Sequence, residues 1–225
     1  MPIKRGKIEL AQGAIAPTQR GLWHLAAEKL TEAATGISEM QVATDRFQFE
    51  AGWTKVVDSL EVCWSRFFDE GKETFSNFAP WAANINVRRR ADPLLKYLIF
   101  ARHKSQHGRI ALVWEETRIS IAVGYGAPIR DLKFYADGTF EVDTPQQDED
   151  TAPPRMVMQP SRAILPELFN KKLKQTLLPP TDHFGAPLQD SSPVAVAVVG
   201  VKFYDSILRD AFTKFAGTPQ SPRAG

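Results

Sequence analysis

A single cysteine, Cys63, is all the disulfide-forming capacity in this 225-residue chain. An internal disulfide framework is therefore excluded, and a lone thiol suits a reducing compartment such as the cytoplasm. Charge of one sign is missing too. With 28 Lys and Arg against 26 Asp and Glu, the formal net charge is only +2, so any basic surface must be local. No stretch reaches the roughly 20 apolar residues of a membrane span. The N-terminal MPIKRGKIELAQGAIAP has basic residues but no continuous apolar core, unlike a secretory signal. There is no GxxxxGK loop, no nucleophile-elbow serine and no HExxH pair, which argues against NTPase, hydrolase-triad and zincin chemistry. The expectation is a cytoplasmic, non-membrane protein with no cofactor and no metal.

What is present is an ordinary globular composition, 43% hydrophobic and 24% charged, long enough for one large domain or two small ones. Helical periodicity dominates the first half. Thr18 is placed to cap a helix through about Ala34, with Gly36 as its stop. A second, long helix is predicted from Ser38 to Glu70 on the stripe Phe49, Trp53, Val56, Leu60, Cys63 or Trp64, and Phe67. Gly52 is its weak point and Gly71 its end. Lys72 to Trp81 reads as a short helix or turn ended near Pro80, followed by a loop carrying Arg88, Arg89 and Arg90. At Arg109 the pattern changes to short β-branched and aromatic segments, RIALVW, RISIAVG, IRDLKFY and TFEVD. Asp137-Gly138 supplies a hairpin turn between the last two. Residues 144–154 are polar, acidic and proline-bearing, a surface loop. A short helix is expected around Leu165 to Lys174, then an irregular loop, and Ser192-Pro193 opens a last helix to about Phe215. The fold class is α+β: an antiparallel helical bundle over 18–108, then a small antiparallel sheet and a closing C-terminal helix over 109–216. Residues 1–17 and 217–225 are flexible tails.

The best-punctuated segment is Asp92 to Gly108, DPLLKYLIFARHKSQHG, with Asp92 as N-cap, Pro93 at the first helical position and Gly108 past the end. Leu94, Leu95, Leu98, Ile99 and Ala101 make an apolar face. Arg102 projects into it, where a lone charge is costly to bury. Arg102 to His107 reads RHKSQH, an R-x4-H arrangement with the polar His103 directly after the arginine. In that motif, and in the run of helices before it, the chain from 18 to 108 resembles the HEPN superfamily of small all-helical domains. The resemblance implies homodimerisation that joins two motifs into one metal-independent RNA-cleaving site, of the kind found in toxins and defence systems with an antitoxin or regulatory partner. Other members are inactive and serve as binding or regulatory modules. On the catalytic reading His107 is the acid or base, Arg102 holds the phosphate and His103 assists.

Plainer readings stand beside these. His107 before Gly108 also fits a helix C-terminus favoured by the macrodipole, and Arg102 can snorkel or pair with Asp45, Glu50 or Asp58. His103 and His107 have the i, i+4 spacing of zinc ligands, but the third ligand would have to come from His24, His183 or Cys63, none placed for it by sequence. Arg88, Arg89 and Arg90 read as RNA-phosphate contacts, or as a solvated loop packed on Trp81. Asp182-His183-Phe184-Gly185, after two prolines, reads as a rigid loop in which His183 caps a turn or meets a ligand.

Overall fold

A computed structural model describes residues 21–106, 112–115, 118–122, 131–134, 140–143, 155–159, 162–170 and 174–216. The fold is α+β. Among the described residues, five α-helices carry the first half and the closing segment: α1 His24–Val42, α2 Arg46–Thr74, α3 Phe78–Ala91, α4 Pro93–Gln106 and α5 Pro193–Ala211, the last continuing into one turn of π-helix, Phe212–Ala216. None of the described helices is long and apolar enough to cross a membrane. Two starts follow their sequence signals directly. Asp92 Oδ1 accepts from Leu95 N at 2.9 Å and Ser192 Oγ from Ala195 N at 3.3 Å, each satisfying a first-turn N–H that the helix itself leaves unpaired. The expected stripe of α2 is buried from Trp53 through Val56, Leu60, Cys63 and Trp64 to Phe67.

The glycines act differently from expectation. Gly36 does not stop α1, which begins at His24 and runs on to Val42, and the second helix starts at Arg46, where Asp45 Oδ1 accepts from Gln48 N. Gly36 and Gly52 instead form a point of close approach between α1 and α2. A Cβ on either would lie within 2.8 Å of the other's carbonyl oxygen. Helices approach that closely only where no side chain intervenes, so Gly52 is a packing point and not a weakness. Gly71 likewise lies inside α2, facing the ring of Phe78. Pro80 does not end a helix either. It sits in the first turn of α3, where a missing N–H costs no hydrogen bond, and α3 carries Arg88, Arg89 and Arg90 in its last turn. The run expected in a loop is helical.

By contacts, the described residues divide into two compact units, one comprising those up to Val113 together with those from Leu165, and the other Trp114–Ile164. The first unit holds all five helices. Its aromatic centre is Trp23, fully buried in a left-handed conformation (φ 62°), with its ring 5.3 Å from Phe67 and 5.5 Å from Phe212. Its backbone N donates to Glu70 Oε1 at 2.8 Å and its indole N to the Phe67 carbonyl at 3.2 Å. α5 belongs to this unit because Val196, Ala197, Val201, Tyr204 and Leu208 are buried in the helical core. Its Gly200 passes so near α4 that a Cβ would meet Leu98 Cδ1 at 2.6 Å. The apparent strand character of VAVAVVGVKFY is that of a helix buried on most sides.

Two antiparallel hairpins complete the first unit. β7 (Leu168–Asn170) pairs with β8 (Gln175–Leu177), and β9 (Asp182–His183) with β10 (Ala186–Pro187). The helix expected around Leu165 to Lys174 is therefore corrected to strand: Leu168 is buried and Phe169 exposed, the period-2 pattern of a strand. In the second unit, β2 (Arg118–Ala122) pairs antiparallel with β5 (Arg155–Gln159), and β3 (Asp131–Phe134) with β4 (Phe140–Asp143) in a register that sets Phe134 opposite Phe140. β1 (Val113–Glu115) pairs with β6 (Arg162–Ile164). The Asp137-Gly138 turn, the 144–154 loop, Thr18, Gly108 and the two tails lie outside the described residues.

Candidate functional site

α4 is anchored in the helical core through its first turns, and the described part of the motif follows at its other end. Leu94, Leu95, Tyr97, Leu98 and Ala101 are buried, and the Tyr97 hydroxyl donates to the Pro166 carbonyl at 2.7 Å. Arg102 follows the last buried position. Its Nε lies 3.6 Å from Asp58 Oδ1 on α2, with side chains 22% and 41% exposed. That separation is an ion pair but too long for a hydrogen bond, and neither of these two enclosed atoms has a hydrogen-bond partner among the described residues. Burial raises the Asp58 carboxyl above the ordinary carboxylate range, against the opposing pull of the Arg102 guanidinium. His103 is exposed, with its ring edge-on to Phe100 at 6.1 Å. The structure thus brings Arg102 together with Asp58, one of its three candidate partners. His107 lies outside the described residues.

The three consecutive arginines of α3 separate by helical rotation. Arg89 is 2% exposed and turned inward, so it is not available to a polyanion. Its Nε donates to the Tyr204 hydroxyl at 2.6 Å, its Nη2 pairs with Glu61, and its guanidinium lies 4.7 Å from the centre of the Trp64 ring. A buried guanidinium is tolerated because an acid, a hydroxyl and a ring face meet its donors and its charge. Arg88 and Arg90 are exposed, and Arg88 stands 5.0 Å over the Phe184 ring.

A second arrangement was not legible as a site. Asp92, besides capping α4, accepts from Phe184 N through Oδ2 at 2.6 Å and lies 3.1 Å from His183 Nδ1 through Oδ1, with no exposed side-chain surface. The β9–β10 turn is held by Asp182 Oδ1 accepting from Gly185 N at 3.1 Å. Phe184 and Gly185 both take left-handed φ there, 51° and 78°, a conformation that costs a non-glycine residue about 1 kcal/mol or more. The turn lies beside a groove of about 480 Å³ lined in part by Trp81, Arg88, His183, Phe184, Lys202 and Phe203. Asp92 and His183 are 91 residues apart, so no local spacing announces their contact.

Among the described residues, no three His, Cys, Asp or Glu side chains cluster as metal ligands. No family model matches this chain, and no curated protein and no solved structure matches it.

Proposed function

We propose that this chain is a HEPN-like, metal-independent endoribonuclease whose complete site forms when two copies associate along α4. The observation that supports this reading is the open Arg102–Asp58 pair, a guanidinium and a carboxylate 3.6 Å apart and partly exposed beside the motif. Metal-free RNA cleavage needs a group to take the 2′-hydroxyl proton, a cation for the phosphorane and an acid for the leaving oxygen. A carboxyl raised by burial is a better base than an ordinary one. On this reading Asp58 takes the 2′-hydroxyl proton and the 2′-oxygen attacks phosphorus. The bond to the 5′-oxygen breaks and His107 protonates that oxygen, leaving a 2′,3′-cyclic phosphate and a 5′-hydroxyl. Arg102 neutralises the non-bridging oxygens, its fork suiting a phosphate, and His103 assists from the exposed side. RNA is the substrate, a second copy completes the site, and an antitoxin-like protein is the expected regulator.

Purified protein incubated with RNA in EDTA is the test. Cleavage should fall by about 10²-fold or more in His107→Ala and Arg102→Ala, with unchanged thermal melting. A chain that is monomeric at all concentrations would remove the composite site.

The second reading, a non-catalytic HEPN-like binding or regulatory module, is favoured by one fact: Arg102 already has a carboxylate in its own chain. If RNA is retained in a gel shift, or a partner is held, and no RNA is cut with or without that partner, this reading replaces the first.

A further inference from the structure

We propose that Asp92 and His183 form a catalytic dyad, a general base that hydrolyses a carboxylic ester bearing an anionic group. This goes beyond the nuclease reading and does not rest on the Arg102 motif, which lies roughly 15 Å along α4 from Asp92. His183 lines a groove of about 480 Å³ between α3, α5 and the β9–β10 hairpin, a volume that suits a small substrate.

The dyad is oriented from within the fold. Asp92 has no exposed side-chain surface, whereas the His183 side chain is 22% exposed. Asp92 Oδ1 lies 3.1 Å from His183 Nδ1, and Oδ2 accepts from Phe184 N at 2.6 Å. A carboxylate can only accept, so the ring proton sits on Nδ1 and Nε2 is left as a proton acceptor. Nothing among the described residues hydrogen-bonds Nε2. The buried carboxylate holds this tautomer and steadies the imidazolium that forms when Nε2 takes a proton. Ser206, on the same lining, donates its hydroxyl to the Phe203 carbonyl at 2.7 Å, so the nucleophile is water.

Charge and apolar surface on the groove define the substrate. The Arg88 guanidinium is held over the Phe184 ring at 5.0 Å, and that ring lies 4.5 Å from the His183 imidazole. Phe203, next to Lys202 on α5, meets the same imidazole edge-on at 5.9 Å. Arg88 and Lys202 are exposed, and no described carboxylate lies within ion-pair distance of either. Asp210, also on the lining, stands roughly 12 Å farther along α5 than Lys202. Arg88 therefore serves the substrate's anionic end, its fork suiting a carboxylate, and Lys202 the developing oxyanion. Trp81, Ile85 and Ile207 offer apolar surface to the carbon chain between them. Water attacks the ester carbonyl as its proton passes to Nε2. The tetrahedral oxyanion collapses, the bond to the alcohol oxygen breaks, and Nε2 returns the proton to that oxygen, giving a carboxylic acid and an alcohol.

The test is release of 4-nitrophenolate by the full chain, over many turnovers, from mono-4-nitrophenyl glutarate and from the neutral 4-nitrophenyl pentanoate. The anionic ester should show a kcat/KM at least tenfold higher. His183→Gln should lower its kcat by about 10²-fold or more, with KM and melting temperature unchanged. Asp92→Asn keeps an acceptor at the start of α4 but removes the carboxylate charge, and should lower kcat tenfold or more at unchanged KM. A purely structural Asp92 would shift melting and leave the kcat of folded molecules as it was. Arg88→Ala should raise KM tenfold or more for the anionic ester and leave that of the neutral one unchanged. His183 is partly exposed, so His183→Gln decides the matter even where Asp92→Asn does not fold. No turnover above buffer at millimolar ester, turnover that survives His183→Gln, or no preference between the two esters overturns the proposal.

Discussion

Gly36 and Gly52 face one another across the α1–α2 crossing: a Cβ built on Gly36 would stand 2.7 Å from the Gly52 carbonyl oxygen, and one on Gly52 2.8 Å from that of Gly36. An exposed mid-helix Gly→Ala change ordinarily stabilises by nearly 1 kcal/mol. Here the sign reverses, because the new methyl meets rigid backbone. Gly52→Ala should cost about 1–3 kcal/mol, read as a lower urea midpoint. A variant more stable than wild type would mean the helices do not cross at these residues.

Arg89 and Arg90 are neighbours in sequence with opposite expected effects. Arg89→Ala strands the Glu61 carboxylate and opens space between Trp64 and Tyr204, a loss of about 3 kcal/mol. Arg90→Ala should change stability by no more than about 0.5 kcal/mol. Thermal melts of the two variants side by side decide it, and equal melting temperatures would contradict the burial of Arg89.

The Asp58 carboxyl is raised in the folded chain, so the native state holds its proton more tightly than the unfolded state does. Its contribution is fully present below the unfolded value of about 3.9 and is lost as pH rises through the folded value. Asp58→Asn lacks this titration. The variant should therefore gain on the wild type as pH is raised from 4 to 7 in parallel urea titrations. A difference that does not vary with pH, or one of opposite slope, would refute the assignment.

Cys63 is 1% exposed, and burial pushes its thiol up to about 12. Since the thiolate is the reactive form, a thiol-specific chromogenic reagent at pH 8 should leave the native chain unlabelled and react with one equivalent after unfolding in guanidinium. Fast labelling of native protein would show that the α2 core opens locally.

Local chemistry alone determined a good deal of this molecule. Asp92-Pro93 and Ser192-Pro193 place two helix starts, because a cap and a ring with fixed φ act within one turn. The α2 stripe from Trp53 to Phe67 and the strands around Arg118 and Phe140 follow from side-chain period. Arg102 was legible as a charge in need of a partner for the same reason. Tertiary structure decided the rest. Gly36, Gly71 and Pro80 look like helix ends, yet α1 and α2 run through the two glycines and α3 accommodates the proline. What settles each is which atoms another helix brings to that position, or which N–H is already free, and neither is written in the neighbouring residues. The choice of Asp58 for Arg102, the inward turn of Arg89 and the hold of Asp92 on His183 are long-range pairings. Each depends on where helices cross after the apolar faces have been buried, and burial is a property of the whole chain, not of any segment of it.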